Sequence, residues 1–322
     1  MGASGIGSKG IIGSFYHTLS QLTGSDWVGQ VSMYFDSNQE IETYKFLGQV
    51  PQMREWIGGR HAKGLRENGL SIRNVKYEST LEIDVDEARR DKTGQIQVRI
   101  NEQARRALSH WAKLLSLYID AGDGTTYGNS YTGSPFFSTS HSVGDSGTWK
   151  NKLTSTEVSD LNISAPAAPT PQEYSTAIFS VVAYLMENIK DDQGELINED
   201  ATKWHILCPN AQQWTAAAQA VANDKILDAS GNTVSNPLAT QDEIDFSVSF
   251  VPRLTSFNGF YIFRTDTDVK PFIRQEELGI QMSAVAEGSE LEFENDVWHF
   301  GIKALRNVGY GYPEFAAMCT FD

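Results

Sequence analysis

One long amphipathic pattern, from Ile96 to Ile119, constrains the fold of this chain more than any other segment. Apolar residues recur in it mostly at steps of three and four, and charged residues occupy the opposite side. At 1.5 Å per residue, roughly 24 helical residues form a rod about 36 Å long. Such a rod crosses a whole small domain. We therefore expect a scaffold helix, a spine, that carries no catalytic residue.

Composition and charge exclude several classes of protein. The chain has 322 residues, 40% of them hydrophobic, which is enough for two or three globular domains. It contains no run of about 18 apolar residues, and residues 1–10 lack the apolar centre of a signal peptide, so we expect a cytoplasmic product without a membrane span. Cys208 and Cys319 are expected to be buried thiols rather than disulfide or zinc ligands.

The acidic charge is concentrated after the amphipathic pattern begins. Residues 1–110 carry 14 Lys+Arg against 13 Asp+Glu, whereas the remainder carries 12 against 28. Tight binding to nucleic acid needs clustered cations that displace counterions from the phosphates. The sequence therefore argues against a protein that grips DNA, although it allows one that lies beside it.

The first third of the chain predicts an arm followed by a projecting hairpin. Residues 1 to about 13 are rich in Gly and Ser and are expected to be flexible. Asn68-Gly69 is a tight-turn signal, and the stretch from Ser71 to Val85 alternates apolar and charged residues, as strands do. One apolar and one charged face favour a two-stranded projection over a central sheet.

The rest of the chain mixes loops, helices and strands without a βαβ repeat. Asp120 to Thr148 is a glycine-rich loop in which Phe136 and Phe137 are expected to act as anchors. Residues 164–169 are predicted to be a linker, after which Thr170 and Glu173 form a capping box for a helix. A buried strand at 204–208 and an alanine-rich helix to residue 222 follow. Further strands are expected at 246–251, 260–263, 272–274, 279–285 and 298–305. The fold class is α+β.

Candidate chemical sites are weak. The N-terminal glycines lack the preceding strand and the Lys-Ser/Thr pair of a phosphate-binding loop. The acids Asp84, Asp86, Glu87 and Asp91 have cations beside them, which favours a solvated ion-pairing face over a metal site. The six histidines share no ligand spacing, so no metal and no cofactor is expected.

A nucleophile with its base is the remaining catalytic possibility. Ser138 and Ser140 precede His141, but no Gly-x-Ser-x-Gly elbow surrounds them and no acid is evidently placed to orient the histidine. The alternative is that His141 forms hydrogen bonds within the glycine-rich loop. We therefore expect no enzyme.

Several short motifs, in order, resemble the major head subunit family of Mu-like phages and prophages. They are Glu55-Trp56-Ile57-Gly58-Gly59-Arg60, Ile72-Arg73-Asn74 with Tyr77-Glu78, Pro135-Phe136-Phe137-Ser138 with His141, Asn151-x-Leu153, Asp192-x-Gly194, Leu207-x-Pro209, Lys270-Pro271-Phe272-Ile273-Arg274-Gln275, and Arg306 with Gly309-Tyr310-Gly311-Tyr312. The resemblance extends from about residue 40 to 320. The N-terminal arm and the interruption Glu87-Ala-Arg-Arg90 depart from it.

The resemblance implies a Hong Kong 97-type capsid fold. In that fold residues 1–45 would be an N-terminal arm and 46–95 an extended loop with the first strands of a peripheral domain. Residues 96–169 would be the peripheral domain with the spine helix, 170–268 an axial domain, and 269–322 strands that return to the peripheral domain.

The resemblance also implies a major capsid protein of a tailed bacteriophage or prophage. Its copies would assemble as hexamers and pentamers into an icosahedral shell around double-stranded DNA, in the host cytoplasm, with scaffold, portal and decoration proteins as partners. An encapsulating shell protein of bacterial origin and a hydrolase using Ser138 and His141 are the alternatives. Candidate subunit contacts are the polar residues Arg73, Lys76, Glu78, Glu82 and Asp84 and the aromatic residues Phe136, Phe137 and Tyr310.

Overall fold

The computed structural model describes residues 7–45, 69–91 and 94–322. The helices are α1 Ser8–Gln21, α2 Asp26–Val31, α3 Val85–Arg90, α4 Gln95–Asp120, α5 Pro171–Asn188, α6 Ala211–Ala222, α7 Pro237–Thr240 and α8 Glu290–Asn295. The strands are β1 Ser32–Asp36, β2 Ile41–Lys45, β3 Gly69–Arg73, β4 Val75–Asp84, β5 Lys152–Leu153, β6 Lys203–Cys208, β7 Lys225–Leu227, β8 Thr233–Ser235, β9 Asp245–Phe250, β10 Gly259–Arg264, β11 Phe272–Val285, β12 Val297–Tyr310 and β13 Ala316–Thr320. Short 3-10 turns occupy Ser159–Leu161 and Pro313–Phe315. This mixture confirms the α+β class.

The long helix α4 confirms the expected spine and packs on a four-stranded sheet. The strand order is β1-β11-β12-β4, with β1 parallel to β11 and the other pairs antiparallel. In the first half of α4, Ile96, Ile100 and Ala104 are buried against apolar residues of β12. In its second half, Leu115 and Ile119 enter a cluster that also contains residues of the glycine-rich loop and of β10. The spine therefore joins two parts of the core.

A second sheet has five strands in the order β5-β13-β10-β6-β9. The helices α5 and α6 cover it, and their apolar faces share one core with β6, β10 and β13. The predicted capping box is present: the Thr170 hydroxyl accepts from the Glu173 N–H, and Glu173 accepts from the Thr170 N–H. The strand at 203–208 is buried as predicted, except for Lys203 at its start.

The expected linker is held against the second sheet's helical layer. Gln213 of α6 donates a hydrogen bond of 2.8 Å from its side-chain amide to the Pro166 carbonyl oxygen. Strand β5, which precedes residues 164–169 in sequence, and β6, which follows them, belong to the same sheet. This segment is therefore a packed connection rather than a free tether between sheets.

The expectation of a flexible arm is wrong for residues 8–13. Helix α1 begins at Ser8, and its Ile11 and Phe15 are buried in the same cluster as the first half of α4. Their spacing of four residues places both side chains on one helical face. The high Gly and Ser content obscured this pair, because a short apolar face needs few residues when it packs on an existing core.

The predicted projecting hairpin is also corrected where the structure describes it. Strand β4 does not pair with β3. It pairs antiparallel with β12 from Val75↔Arg306 to Asp84↔Val297, as the edge strand of the four-stranded sheet. Strand β3 pairs instead with β2, and this ladder brackets residues 46–68. The Glu55–Arg60 motif and the turn residue Asn68 lie outside the described residues.

The strands expected at 272–274 and 279–285 are one continuous strand. In β11 the register against β12 shifts between Glu276 and Leu278 and again between Leu278 and Gln281. Each shift inserts a residue into the alternation of faces, so the sequence pattern breaks although the strand continues. In the described part of the chain, no helix is long and apolar enough to cross a membrane.

Candidate subunit-contact surface

The polar face of β4 is the largest part of the predicted contact surface that the structure leaves free. Lys76, Glu78, Glu82 and Asp84 are exposed, whereas Ile83 is buried. This division follows from the two-residue period of a strand, in which alternate side chains point to opposite faces. No strand in the described part of the chain pairs with the outer edge of β4. The edge and its row of charges are therefore available to a neighbour.

Some of these charges have partners within the chain. Glu82 lies 2.8 Å from the ring Nε2 of His299 on the paired strand β12. Arg73, on β3, forms an exposed ion pair of 2.7 Å with Glu40. Exposed pairs of this kind contribute about 0–1 kcal/mol, so these partners are exchangeable. They can be replaced by charges on another subunit at little cost.

Asp84 has a local structural role. Its carboxylate accepts hydrogen bonds from the N–H groups of Asp86 (2.9 Å) and Glu87 (3.1 Å), which caps α3. Asp86 in turn pairs with Arg90 at 2.7 Å. Asp86 therefore forms ion pairs as expected, whereas Asp84 caps a helix. Among the described residues, no group of acids, histidines or cysteines suited to hold a metal is found.

The three aromatic contact candidates belong to the core, which corrects the sequence interpretation. Phe136, Phe137 and Tyr310 are 0%, 1% and 1% exposed. The rings of Phe136 and Tyr310 are stacked with centroids 5.0 Å apart, and Phe272 lies 4.8 Å from Phe136. These residues join the glycine-rich loop to the first sheet. They have no exposed area to offer a second subunit in this conformation.

Their role as loop anchors is confirmed. The Phe137 N–H donates a hydrogen bond of 2.7 Å to the Gly122 carbonyl oxygen at the end of the spine. A Cβ added to Gly122 would lie 2.7 Å from the Phe137 ring. Only glycine permits this close approach. The loop is thus fixed to the spine by its aromatic residues.

His141 is a structural residue in this loop. It is fully buried, stacks on Trp149 at 4.2 Å, and its two ring nitrogens lie 2.7 Å from the Thr132 Oγ1 and 3.1 Å from the Asn151 Oδ1. Burial lowers the pKa of His141 to about 4, so the ring is neutral at pH 7. The hydroxyl of Ser138 contacts the backbone of Ser140 instead. These residues do not form a nucleophile–base pair.

The sequence interpretation missed an exposed, acid-rich turn between β11 and β12, residues 287–296, which we call the acidic tip. Helix α8 at this tip buries no residue, and Phe293 is 91% exposed. The available signal was a phenylalanine surrounded by acids in the segment Glu290-Leu-Glu-Phe-Glu-Asn295. An apolar residue between charges, with no periodic apolar neighbours, is typical of a surface position.

Sequence comparison relates part of the chain to phage head subunits. Residues 8–167 match the family model described as "Mu-like prophage major head subunit gpT". The Mu-like prophage FluMu major head subunit of Haemophilus influenzae is 30% identical over 131 residues, 41% of this chain and 42% of that protein. The major capsid protein of Escherichia phage Mu is 30% identical over 114 residues, 35% and 36% of the two chains. The chain spans less than half the length of these curated relatives.

Structural comparison covers nearly all of the chain. A chain of the procapsid of bacteriophage JBD30 matches with a TM-score of 0.54 at 21% identity, covering 97% of this chain and 73% of that one. The JBD30 capsid decorated with minor capsid protein trimers gives 0.51 at 15% identity, covering 92% and 64%. The capsid of cyanophage P-SCSP1u gives 0.53 at 14% identity, covering 93% and 89%. This likeness shows that the chain has the Hong Kong 97-type capsid fold.

Proposed function

We propose that this chain, whose residues 8–167 match the Mu-like prophage major head subunit family, is a member of that family and the major capsid protein of a tailed bacteriophage or prophage. Its copies would assemble into an icosahedral shell that encloses double-stranded DNA. The observation that carries the proposal is the agreement of two independent likenesses. Residues 8–167 match the family in sequence, and 97% of the chain shares a fold with a procapsid protein.

The exposed edge of β4 suits a subunit that tiles with copies of itself. Closed point-group symmetry repeats each contact around five-fold and quasi-six-fold axes, so many weak contacts give a stable shell. Charged residues such as Lys76 and Glu78 would set the register between neighbours more than the affinity. The segment that carries Arg73, Lys76, Glu78, Glu82 and Asp84, all exposed, would lie across a neighbouring subunit.

The proposed division of the chain follows the capsid fold. Residues 1–45 would form the arm and 46–95 the extended loop with its adjoining strands. Residues 96–169 would form the peripheral domain, 170–268 the axial domain and 269–322 the returning strands. The spine α4, and the cluster that joins it to β12, support the peripheral assignment.

The net charge of −15 supports a container that does not grip its DNA. A surface without clustered cations releases few counterions from the phosphates, so binding is weak at physiological salt. Scaffold, portal and decoration proteins would be further partners. Decoration is supported only by the minor capsid protein trimers on the JBD30 capsid. We propose that assembly takes place in the cytoplasm of a bacterial host.

We propose that the chain is not an enzyme. The buried, neutral His141 and its hydrogen bonds to Thr132 and Asn151 argue against the hydrolase alternative. An encapsulating shell of bacterial origin remains the second hypothesis. It shares the fold and differs in its contents, because it would require a cargo-binding site.

Electron microscopy of the purified, expressed chain tests the proposal. Closed particles of uniform size are expected. A monomer at all concentrations and salt conditions would contradict it, and particles filled with a folded protein cargo would favour the second hypothesis. The DNA affinity of empty particles tests the charge argument separately, since tight binding at physiological salt is not expected.

A further inference from the structure

A cleft of about 240 Å³ lies between the middle of the spine α4 and the strands β4 and β12. Ala107, Ile302 and Ala304, all largely buried, provide an apolar wall. Tyr77 also lines the cleft and makes an edge-to-face contact with His110 at 4.4 Å. A dry cavity of roughly 150 Å³ is enough for one benzene ring. The cleft is therefore large enough for an aromatic side chain.

The rim and floor of this cleft are basic, in a chain that is strongly acidic overall. Its cations are Arg106, Lys113, Lys303 and Arg306, and its carboxylate is Glu78. Burial, together with the charge of Arg306, lowers the pKa of His110 to about 4, so this residue is neutral at pH 7. Arg106 pairs with Glu102 at 3.4 Å and Arg306 lies 3.7 Å from Glu276, so Lys113 and Lys303 contribute most to the attraction of an anionic occupant.

The Arg306 cation is held in place at the floor. Its side chain is 3% exposed, its Nη2 donates a hydrogen bond of 2.9 Å to the Ala107 carbonyl oxygen, and it lies 4.8 Å from the centre of the Trp111 ring. Its Nη1 is 3.7 Å from Glu276. Among the described residues, Arg306 Nε, His110 Nδ1 and Gln103 Oε1 are buried without a hydrogen-bond partner. The floor is thus polar, fixed and incompletely satisfied.

The acidic tip has the complementary chemistry. Residues 287–296 contain five acids and no lysine or arginine. Within α8, Glu290 and Glu294 are four residues apart and Phe293 lies between them, so the three side chains share one face of the turn. All three are exposed. An exposed phenylalanine flanked by two carboxylates matches the apolar wall and the basic rim of the cleft.

We infer that the α8 tip of one copy of this chain docks into the spine cleft of a neighbouring copy. Phe293 enters the cleft against Ala107, and Glu290 and Glu294 face Lys113 and Arg106 at its rim. This inference names a contact of the proposed shell and rests on that proposed function.

The tip of the same copy cannot reach the cleft. Strand β12 is paired along its length with β4, from Val297 to Arg306. Val297 and Ile302 are separated by five strand residues, about 17 Å at 3.3 Å per residue. A tip that docks in the cleft therefore comes from another copy. Because tip and cleft are different surfaces, the contact is head-to-tail, which is the kind that closes into rings around a symmetry axis.

Charge reversal on each side tests the docking. Lys113→Glu in the cleft and Glu294→Lys in the tip should each lower the fraction of chain recovered as closed particles at least roughly tenfold. The double variant should recover much of that loss, because the attraction is restored with reversed signs. Both side chains are exposed, so thermal unfolding of unassembled subunits should not change.

Matched controls make the same charge changes elsewhere. Lys225→Glu and Glu243→Lys alter exposed side chains away from both surfaces and should assemble as the wild type does. Phe293→Ser should reduce assembly without a change of charge. Rescue in the double variant would support the docking.

Three outcomes would overturn it. If the wild type assembles and both single variants assemble equally well, the docking is wrong while the proposed function stands. If only Lys113→Glu blocks assembly, something other than the tip occupies the cleft. If the wild type forms no closed particles, the proposed function fails and the docking with it.

Discussion

Replacing Phe136 by alanine distinguishes a core residue from an interface residue. Phe136 is fully buried and packs on the rings of Phe137, Phe272 and Tyr310 at centroid distances of 4.8–5.0 Å. An aromatic side chain buries roughly 150–250 Å², which at about 25 cal/mol per Å² corresponds to about 4–6 kcal/mol. Measured Phe→Ala changes in cores cost about 3–5 kcal/mol. We expect Phe136→Ala to lower the free energy of unfolding by about 4 kcal/mol.

Urea unfolding of dilute, unassembled subunits, followed by tryptophan fluorescence, measures this change. The matched control is Tyr127→Ala in the same loop, where 40% of the side chain is exposed and the loss should be about 1 kcal/mol or less. If Phe136→Ala unfolds like the control but fails to assemble, then Phe136 is an interface anchor and the placement described above is wrong. Equal losses in the two variants would also refute the reasoning.

Two further predictions concern pH. Burial lowers the pKa of His141 to about 4, so the fold favours its neutral form. Stability should be full above about pH 6.5 and fall by up to about 3 kcal/mol as pH drops towards 4, and urea midpoints of His141→Gln should show less of this slope. An unchanged slope would contradict the prediction. Burial raises the pKa of Glu314 to about 8, so this carboxyl is protonated in the fold, and stability is lost as pH rises from about 4.5 to 8. Glu314→Gln should therefore be more stable than the wild type at pH 8 and similar at pH 5, with the exposed Glu243→Gln as a control that shows no such difference.

Features coded by neighbouring residues could be predicted from the sequence. The spine was placed to within one residue at each end, Gln95–Asp120 against Ile96–Ile119. The capping box of α5 and the polar row on β4 followed from fixed spacings of three and two residues. In each case the residues that form the pattern belong to the same helix or strand that the pattern predicts.

Features that depend on distant partners could not be predicted. The alternation of β4 indicated a strand with one charged face but not its partner β12, which lies more than 200 residues away. Phe136 was expected to be a loop anchor and Tyr310 a subunit contact, because the sequence does not say whether their own core or a neighbour buries each ring. The two residues are 174 positions apart in the sequence, and only the tertiary fold brings their rings into contact. The cleft between α4, β4 and β12 could not be predicted from any single segment, because its lining residues come from distant parts of the chain.

The position of β13 has a consequence for how this protein is made. Residues 316–320 form an inner strand of the five-stranded sheet, paired on one side with β10 and on the other with β5. If translation stops before residue 316, the second sheet of the released polypeptide lacks an interior strand. The apolar side chains that this strand would cover then stay exposed to water. Native pairing of this kind links residues far apart in the chain, which makes folding slow and late. A polypeptide that stops before residue 316 therefore cannot bury the core of its second sheet.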